Sequence, residues 1–304
     1  MEFSFFRIVH ISREVNLGWL VRLIHINGAS LFFFIMYIHI TKNLVNSSWK
    51  FILVWLSGIL ILLISIITAF IGYVLPWGQI SFWAATVITN LLSIIPLFGQ
   101  DLVEWLWGGF SVSYPTLMRF FSFHFILPLL VLIIVLIHII FLHIYGSSNS
   151  INSLLDLDKI RFDPFFLVKD LIGILLLIFF FIIILCFNPY YSIDSENFIE
   201  ANPIITPIHI KPEWYFLFAY SILRAVPRKI GGVIGLFLRI IILLIKPFQI
   251  NQKIKFNFLK KIFLFNYFFT FLILRYLGSK PIEFPFEILS KLFIFNYFFF
   301  SLVI

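Results

Sequence analysis

The chain has 304 residues, 62% of them hydrophobic, 20% aromatic and only 12% charged, with a mean hydropathy of +1.06. Soluble domains are about 45–50% apolar and about 25% charged, so this composition excludes a soluble enzyme, a secreted disulfide scaffold and a disordered tail, and leaves an integral membrane protein in a lipid bilayer. The lone Cys186 rules out a cysteine framework or cluster, and the net charge of +8, scattered between apolar runs, reads as loops held on one side of a membrane and not as a nucleic-acid surface.

Residues 1–16 match neither a cleavable signal peptide nor a convincing transit peptide. A bilayer core of roughly 30 Å needs about 20 apolar residues per helix, and only helices or closed barrels satisfy the backbone in lipid. The runs here are continuous and do not alternate, which predicts an all-α transmembrane bundle. Spans are expected at 19–41, 51–72, 120–144, 171–188, 230–248, 262–278 and 286–304. Residues 79–112 mix Trp83, Asn90, Asp101, Glu104, Trp105 and Trp107 with apolar positions, the pattern of amphipathic helices at the interface. Residues 189–228 read as a long polar loop containing prolines, of a length that is usually functional. No internal repeat is visible. Phenylalanine occurs 42 times, beyond what packing needs, a hint of an AT-rich organelle genome.

Seven spans fix which loops share a side. One side carries Lys42, Lys50, Lys159, Arg161, Lys169, Lys246, Lys253, Lys255, Lys260 and Lys261 against Asp156, Asp158, Asp163 and Asp170, a balance of about +6. The opposite segments, 1–22, 101–119, 194–229 and 275–291, are close to neutral. The basic side is therefore expected to face the cytoplasm or, in a mitochondrion, the matrix.

The seven histidines are His10, His25, His39, His124, His138, His143 and His209. His25 and His39 are 14 apart in the first span, and His124 and His138 are 14 apart in the third. Fourteen residues fall about 40° short of four full turns, so each pair shares a helix face at two depths about 21 Å apart. The two spans run in the same direction, which levels His25 with His124 and His39 with His138. Single intramembrane histidines commonly hydrogen-bond across a helix interface, but two pairs with one spacing on parallel spans point to stacked axial clamps for haem iron. Gly58 and Gly72, also 14 apart in the second span, match both depths and give room for a flat macrocycle, although small residues also serve close helix packing.

These residues lie in the segments GWLVRLIHINGAS, GYVLPWGQISFWAATVITNLL, LVEWLWGGFSV, RFFSFHFILPLLVLIIVLIHIIFLHIYGS and IKPEWYFLFAYSILRAVPRKIGG. Together they closely resemble the cytochrome b family, the core subunit of mitochondrial quinol–cytochrome c reductase (complex III). Both halves of the family lie in one polypeptide, unlike the split chloroplast relative, which also has one residue more between the second pair of ligands. The resemblance implies a haem-binding bundle over 1–148 and a C-terminal transmembrane domain with the PEWY loop over 149–304. It also implies two b-type haems, of low potential at His25 and His124 and of high potential at His39 and His138. Arg22 matches the arginine that meets a low-potential haem propionate, and Lys42 stands where the family usually has arginine, keeping the charge without the bidentate fork.

By the same resemblance, a ubiquinol-oxidation site is built from 72–90 and from Pro212, Glu213, Trp214 and Tyr215. Glu213 accepts a quinol proton there, and Tyr215 and Tyr73 position the ring. A quinone-reduction site uses His143 and Asp170, with Lys169 adjacent; His143 lies 5 residues beyond His138 and so points away from the clamp. The family's mechanism sends one quinol electron to a Rieske iron–sulfur protein and the other through the two haems to a quinone on the matrix side. The implied setting is the mitochondrial inner membrane, with a cytochrome c1-type subunit, other complex III subunits and a second copy as partners.

The sequence departs from the family in two ways. Roughly sixty residues, room for an interfacial helix and one span, precede the segment matching IVHISREVN in family members, so seven spans are expected here against eight. Ala84, in WAAT, stands where the family usually has glycine, in the wall of the quinol-oxidation pocket. Its added methyl is expected to crowd methoxyacrylate-type inhibitors. Two rivals remain at this stage: a histidine-relay transporter, disfavoured because the mid-span ionisable residues are almost only the paired histidines, and a truncated structural or non-functional fragment.

Overall fold

The protein is described from a computed structural model over residues 4–147, 157, 159–208, 210–249 and 258–304. The expected boundary at 148/149 and residues Asp156, Asp158, His209, Lys253 and Lys255 lie outside the described residues. Eleven α-helices occur among the described residues: α1 (Ser4–Glu14), α2 (Gly18–Val45), α3 (Ile52–Val74), α4 (Gln79–Thr89), α5 (Gly99–Trp107), α6 (Tyr114–Tyr145), α7 (Leu167–Phe187), α8 (Leu217–Ala225), α9 (Lys229–Ile245), α10 (Phe258–Gly278) and α11 (Phe286–Val303).

Seven of these segments are long and apolar enough to cross a membrane, and they correspond one for one to the seven expected spans. The largest shifts are in the fourth span, which starts at Phe162, nine residues before the expected 171, and in α6, which starts at Tyr114, six residues before the expected 120. Its start is fixed chemically by a capping box between Ser113 and Thr116, with Pro115 in the first turn where no backbone donor is needed. The Thr116 hydroxyl also donates to the Trp107 carbonyl at 2.8 Å, tying the helix to the end of α5. The segment expected as a continuous loop over 189–228 contains α8, whose buried Leu217, Phe218, Ser221, Ile222 and Ala225 recur at helical spacing. Nine residues are too few for a span and were masked in the sequence by the prolines and charges on either side.

Two packed groups organise the spans. In the first, α3 lies along α6, and α4 and α5 close its end around Ile71, Val74, Phe82, Ala85, Val103, Trp107, Val112 and Phe120. The interface expectation for 79–112 takes the form of α4 and α5, with Trp105 and Asp101 exposed and Trp107 buried. In the second group, α8 packs against α9, α10 and α11. Helix α2 touches both α7 and α10.

The segment after α7 folds back onto the α3–α4 turn. Backbone N–H groups of Gln79 and Ala201 donate to Ile199 and Trp77 carbonyls at 2.9 and 3.2 Å, around an isolated antiparallel bridge between Gly78 and Glu200. A Cβ at Gly78 would fall on Asn197, so this crossing requires glycine. The buried Gln79 side chain accepts from the Asn202 N–H at 2.7 Å and donates to the Ile205 carbonyl at 2.6 Å. Losing a buried hydrogen bond of this kind costs about 1–3 kcal/mol. Gln79→Ala should therefore speed hydrogen exchange in 199–206 by about tenfold or more while α4 amides keep their protection, as read by mass spectrometry.

Candidate functional site

Helices α2 and α6 bring the four span histidines together as two pairs. The imidazole centroids of His25 and His124 are 6.1 Å apart, with ring planes at 74°. Those of His39 and His138 are 6.4 Å apart at 68°. The pairing is level, His25 with His124 and His39 with His138, as parallel helices require. His124 Nδ1 donates to the Thr68 carbonyl at 2.9 Å. A carbonyl can only accept, so the proton sits on Nδ1 and the Nε2 lone pair stays available to a metal. His138 Nδ1 lies 2.8 Å from Ser57 Oγ, whose own proton goes to the Leu53 carbonyl at 2.7 Å. Nδ1 of His138 is thus the donor there too. His25 and His39 are exposed on α2, and Asn43 Nδ2 donates to His39 Nε2 at 3.2 Å.

A Cβ on Gly72 would fall on the His124 ring, and one on Gly58 would come to 3.3 Å from His138 Cε1. The glycines thus clear the imidazoles themselves, a closer role than the general room for a macrocycle expected from their spacing. Arg22 reaches Ser12 Oγ at 3.3 Å and lies over the Phe198 ring at 5.1 Å, joining α2 to α1 and to the 195–198 turn. Lys42 is exposed three residues beyond His39.

A second cluster gathers on the opposite face of α2. Asn27 Nδ2 donates to the Pro189 carbonyl at 2.9 Å, and Trp214 Nε1 donates to Ser30 Oγ at 3.3 Å. Tyr215 stacks on Phe33 with centroids 4.3 Å apart and planes at 5°, and its carbonyl accepts from the Tyr37 hydroxyl at 2.6 Å. These contacts hold the PEWY turn, with Pro212 and Glu213 half-buried and Tyr215 buried. Burial pushes the Glu213 carboxyl up to about 7, helped by the charge of Asp194 and opposed by Lys211. Asp194 and Lys211 themselves form an ion pair at 3.7 Å. The Tyr215 phenol is also pushed up, by burial first and then by Glu213 and Tyr37. Tyr73, at the end of α3, lies within electrostatic reach of Glu213, Asp194 and Tyr215. Ala84 is 5% exposed on the packed face of α4.

The remaining expected pair is not brought together. His143, near the end of α6, and Asp170, in the first turn of α7, are both exposed, and no hydrogen bond or ion pair joins them among the described residues. Lys169 lies over the Phe165 ring at 5.9 Å.

Several partners were not singled out from the sequence: Asn27, Tyr37, Ser57, Thr68, Gln79 and Asp194. Asn27 carried a signal, an amide in the middle of an apolar span, where a polar side chain needs a partner. The Thr68 contact carried none, because it uses a backbone carbonyl.

Residues 1–146 match the family described as cytochrome b/b6/petB, and residues 200–298 match cytochrome b(C-terminal)/b6/petD. Cytochrome b of Apis mellifera ligustica is 54% identical over 288 residues, 94% of this chain and 75% of the relative. The chain belongs to the cytochrome b family. A solved structure, a hyperthermophilic respiratory complex III, matches with a TM-score of 0.91 and 31% identity, over 98% of this chain and 81% of that one.

Cytochrome b is an electron-transfer subunit of quinol–cytochrome c oxidoreductase and carries two b-type haems. The residues present fit that group. Two metal–imidazole bonds of about 2 Å, with the nitrogen-to-centroid distance added on each side, span about 6 Å, the separation found in both pairs. Among the described residues no cluster of three or more His, Cys, Asp or Glu could hold a lone metal ion. Ligands that come in twos suit a metal that arrives with its other ligands in place. The closer approach at Gly72 gives a differential test in this cytochrome b. Gly72→Ala should remove about one of the two b-haem absorption signals, whereas Gly58→Ala, where a neighbour need give only slightly, should retain both.

Proposed function

We propose that this cytochrome b holds one haem between His25 and His124 and a second between His39 and His138, the first being the low-potential group. The observation that carries the reading is the pair of imidazole separations, 6.1 and 6.4 Å, between α2 and α6, with the two α6 rings oriented from α3. When bound, the haems supply a one-electron relay between the two membrane faces. Arg22 and Lys42 stand at opposite ends of α2, and each offers a cation to a propionate. A haem-to-protein ratio near two in the reduced-minus-oxidised spectrum is expected, with His25→Ala and His39→Ala each lowering it by one.

Ubiquinol is oxidised beside the PEWY turn. Its ring lies against Tyr73 and Tyr215, in a pocket walled by Pro212 and by α4 at Ala84, and a quinol hydroxyl gives its proton to the Glu213 carboxylate. Asp194, whose charge acts on Glu213 and which pairs with Lys211, is the next carboxylate for that proton. A carboxyl raised to about 7 is protonated below that pH and cannot accept, so quinol oxidation should rise as pH increases through about 7. Glu213→Gln should lower the rate by about 10²-fold or more and flatten this limb, as measured by steady-state turnover against pH.

Ala84 fills space where the family usually has glycine. Quinol turnover in this protein should resist methoxyacrylate-type inhibitors, and Ala84→Gly should bring sensitivity at unchanged turnover. Wild-type sensitivity that is the same in the variant would remove the idea.

On the other face, His143 and Asp170, with Lys169, serve quinone reduction; their exposure suits a site open to lipid and water. The haem-binding part runs over 1–148 and the PEWY-bearing part over 149–304. Other complex III subunits are partners of this chain. Among them we include a Rieske iron–sulfur protein, a cytochrome c1-type subunit and a second copy of cytochrome b, in the mitochondrial inner membrane. Tyr191, Ile204 and Ile208, 83, 89 and 89% exposed on the segment docked over α4, support a protein partner at that face.

A further inference from the structure

Helix α9 carries an arginine within its span, and neither the haem pairs nor the PEWY turn uses it. Arg239 stands ten residues from the first residue of α9 and six from the last, about 15 and 9 Å along the axis. Helical side chains lean toward the N-terminus, and the guanidinium lies 4.7 Å over the Phe218 ring of α8, so it reaches inward, away from the nearer helix end. It borders a partly open cavity of about 70 Å³ lined also by Tyr37, Thr41, Tyr267, Phe271 and Tyr297, with aliphatic walls from α2, α3 and α9. Tyr37 and Thr41 sit two residues either side of His39, about 200° round the helix, which puts the cavity on the face of α2 turned from the histidine pairs.

The polar end of this cavity is rich in donors. The Tyr37 hydroxyl is given to Tyr215, that of Thr41 to the Tyr37 carbonyl, and that of Tyr267 to Tyr297. Tyr297 therefore accepts, and its own proton is left for a ligand. Among the described residues no carboxylate lines the cavity and no hydrogen bond or ion pair reaches Arg239. A guanidinium keeps its charge, and an uncompensated cation within a membrane span is costly. A neutral carbonyl ligand would accept hydrogen bonds without balancing that charge. A phospholipid phosphate sits at headgroup level, about 9 Å away along the helix.

We propose that the cavity binds the carboxylate of a single-chain fatty acid. Arg239 meets its two oxygens, Tyr297 donates to one of them, and the hydrocarbon tail runs along the aliphatic wall.

The test uses membranes holding the assembled complex, photolysed with a palmitic acid that carries a diazirine in its tail, with labelled peptides mapped by mass spectrometry. Label is expected within Ile59–Ile66 or Tyr267–Phe271, displaced by oleate but not by oleyl alcohol or phosphatidylglycerol. Arg239→Gln should lower it by about tenfold or more, with Arg239→Lys retaining part of it. Leu63→Trp, which fills the cavity and leaves the arginine in place, should also abolish it. The haem spectrum reports assembly of each variant, and if Arg239→Gln does not assemble, Leu63→Trp decides. Equal displacement by oleyl alcohol, displacement by phosphatidylglycerol in place of oleate, or label unchanged in an assembled variant would overturn the proposal.

Discussion

Helix α2 serves two faces at once, and most of the chemistry in the chain depends on its periodicity. His25 and His39 look toward α6, while Asn27, Ser30, Phe33 and Tyr37, recurring every three or four residues, hold the PEWY turn and the segment before it. An offset of two residues is about 200° of rotation, so the two sets are kept apart by the helix itself. Any register shift in α2 would move both sites together. The partner rings are fixed separately, through the packing of α6 on α3 and the contacts to Thr68 and Ser57.

The raised carboxyl of Glu213 follows from burial more than from close charges. Glu213 is raised mainly because its surroundings disfavour the anion, with Asp194 adding to this and Lys211 opposing it. Gln79 and Asn197 pin the segment that carries Asp194 to the α3–α4 turn. Arg275 over Trp214 at 4.7 Å clamps the PEWY turn from α10.

The spans and the level pairing of the histidines were legible because both rest on strong periodic signals: bilayer thickness sets run length, and the helical repeat turns a spacing of 14 into a shared face. Helix α8 was not legible, since nine residues between prolines and charges give a weak pattern. The assignment of Glu213, Tyr73 and Tyr215 to one place came from a resemblance to a family and not from periodicity. Contacts that run through backbone carbonyls, such as His124 to Thr68, leave no mark on residue identity. The expectation that mid-span ionisable groups were almost only the paired histidines missed Arg239, because one charge in a long apolar run barely lowers its mean hydropathy.

Helix α6, at 32 residues, is about 48 Å long, against a hydrocarbon core of about 30 Å. Even an ordinary maximal tilt of about 40° leaves it protruding. One end is anchored through Thr116 to Trp107, whereas the other, where His143 stands exposed, is held by the stacking of Tyr145 on Phe51, so a thicker or thinner bilayer is accommodated at the His143 end. The separation of His124 and His138 is set by the rise of the hydrogen-bonded helix and does not follow the lipid. Membrane thickness therefore changes how deeply the His143 end is immersed while leaving the distance between the two histidine levels constant.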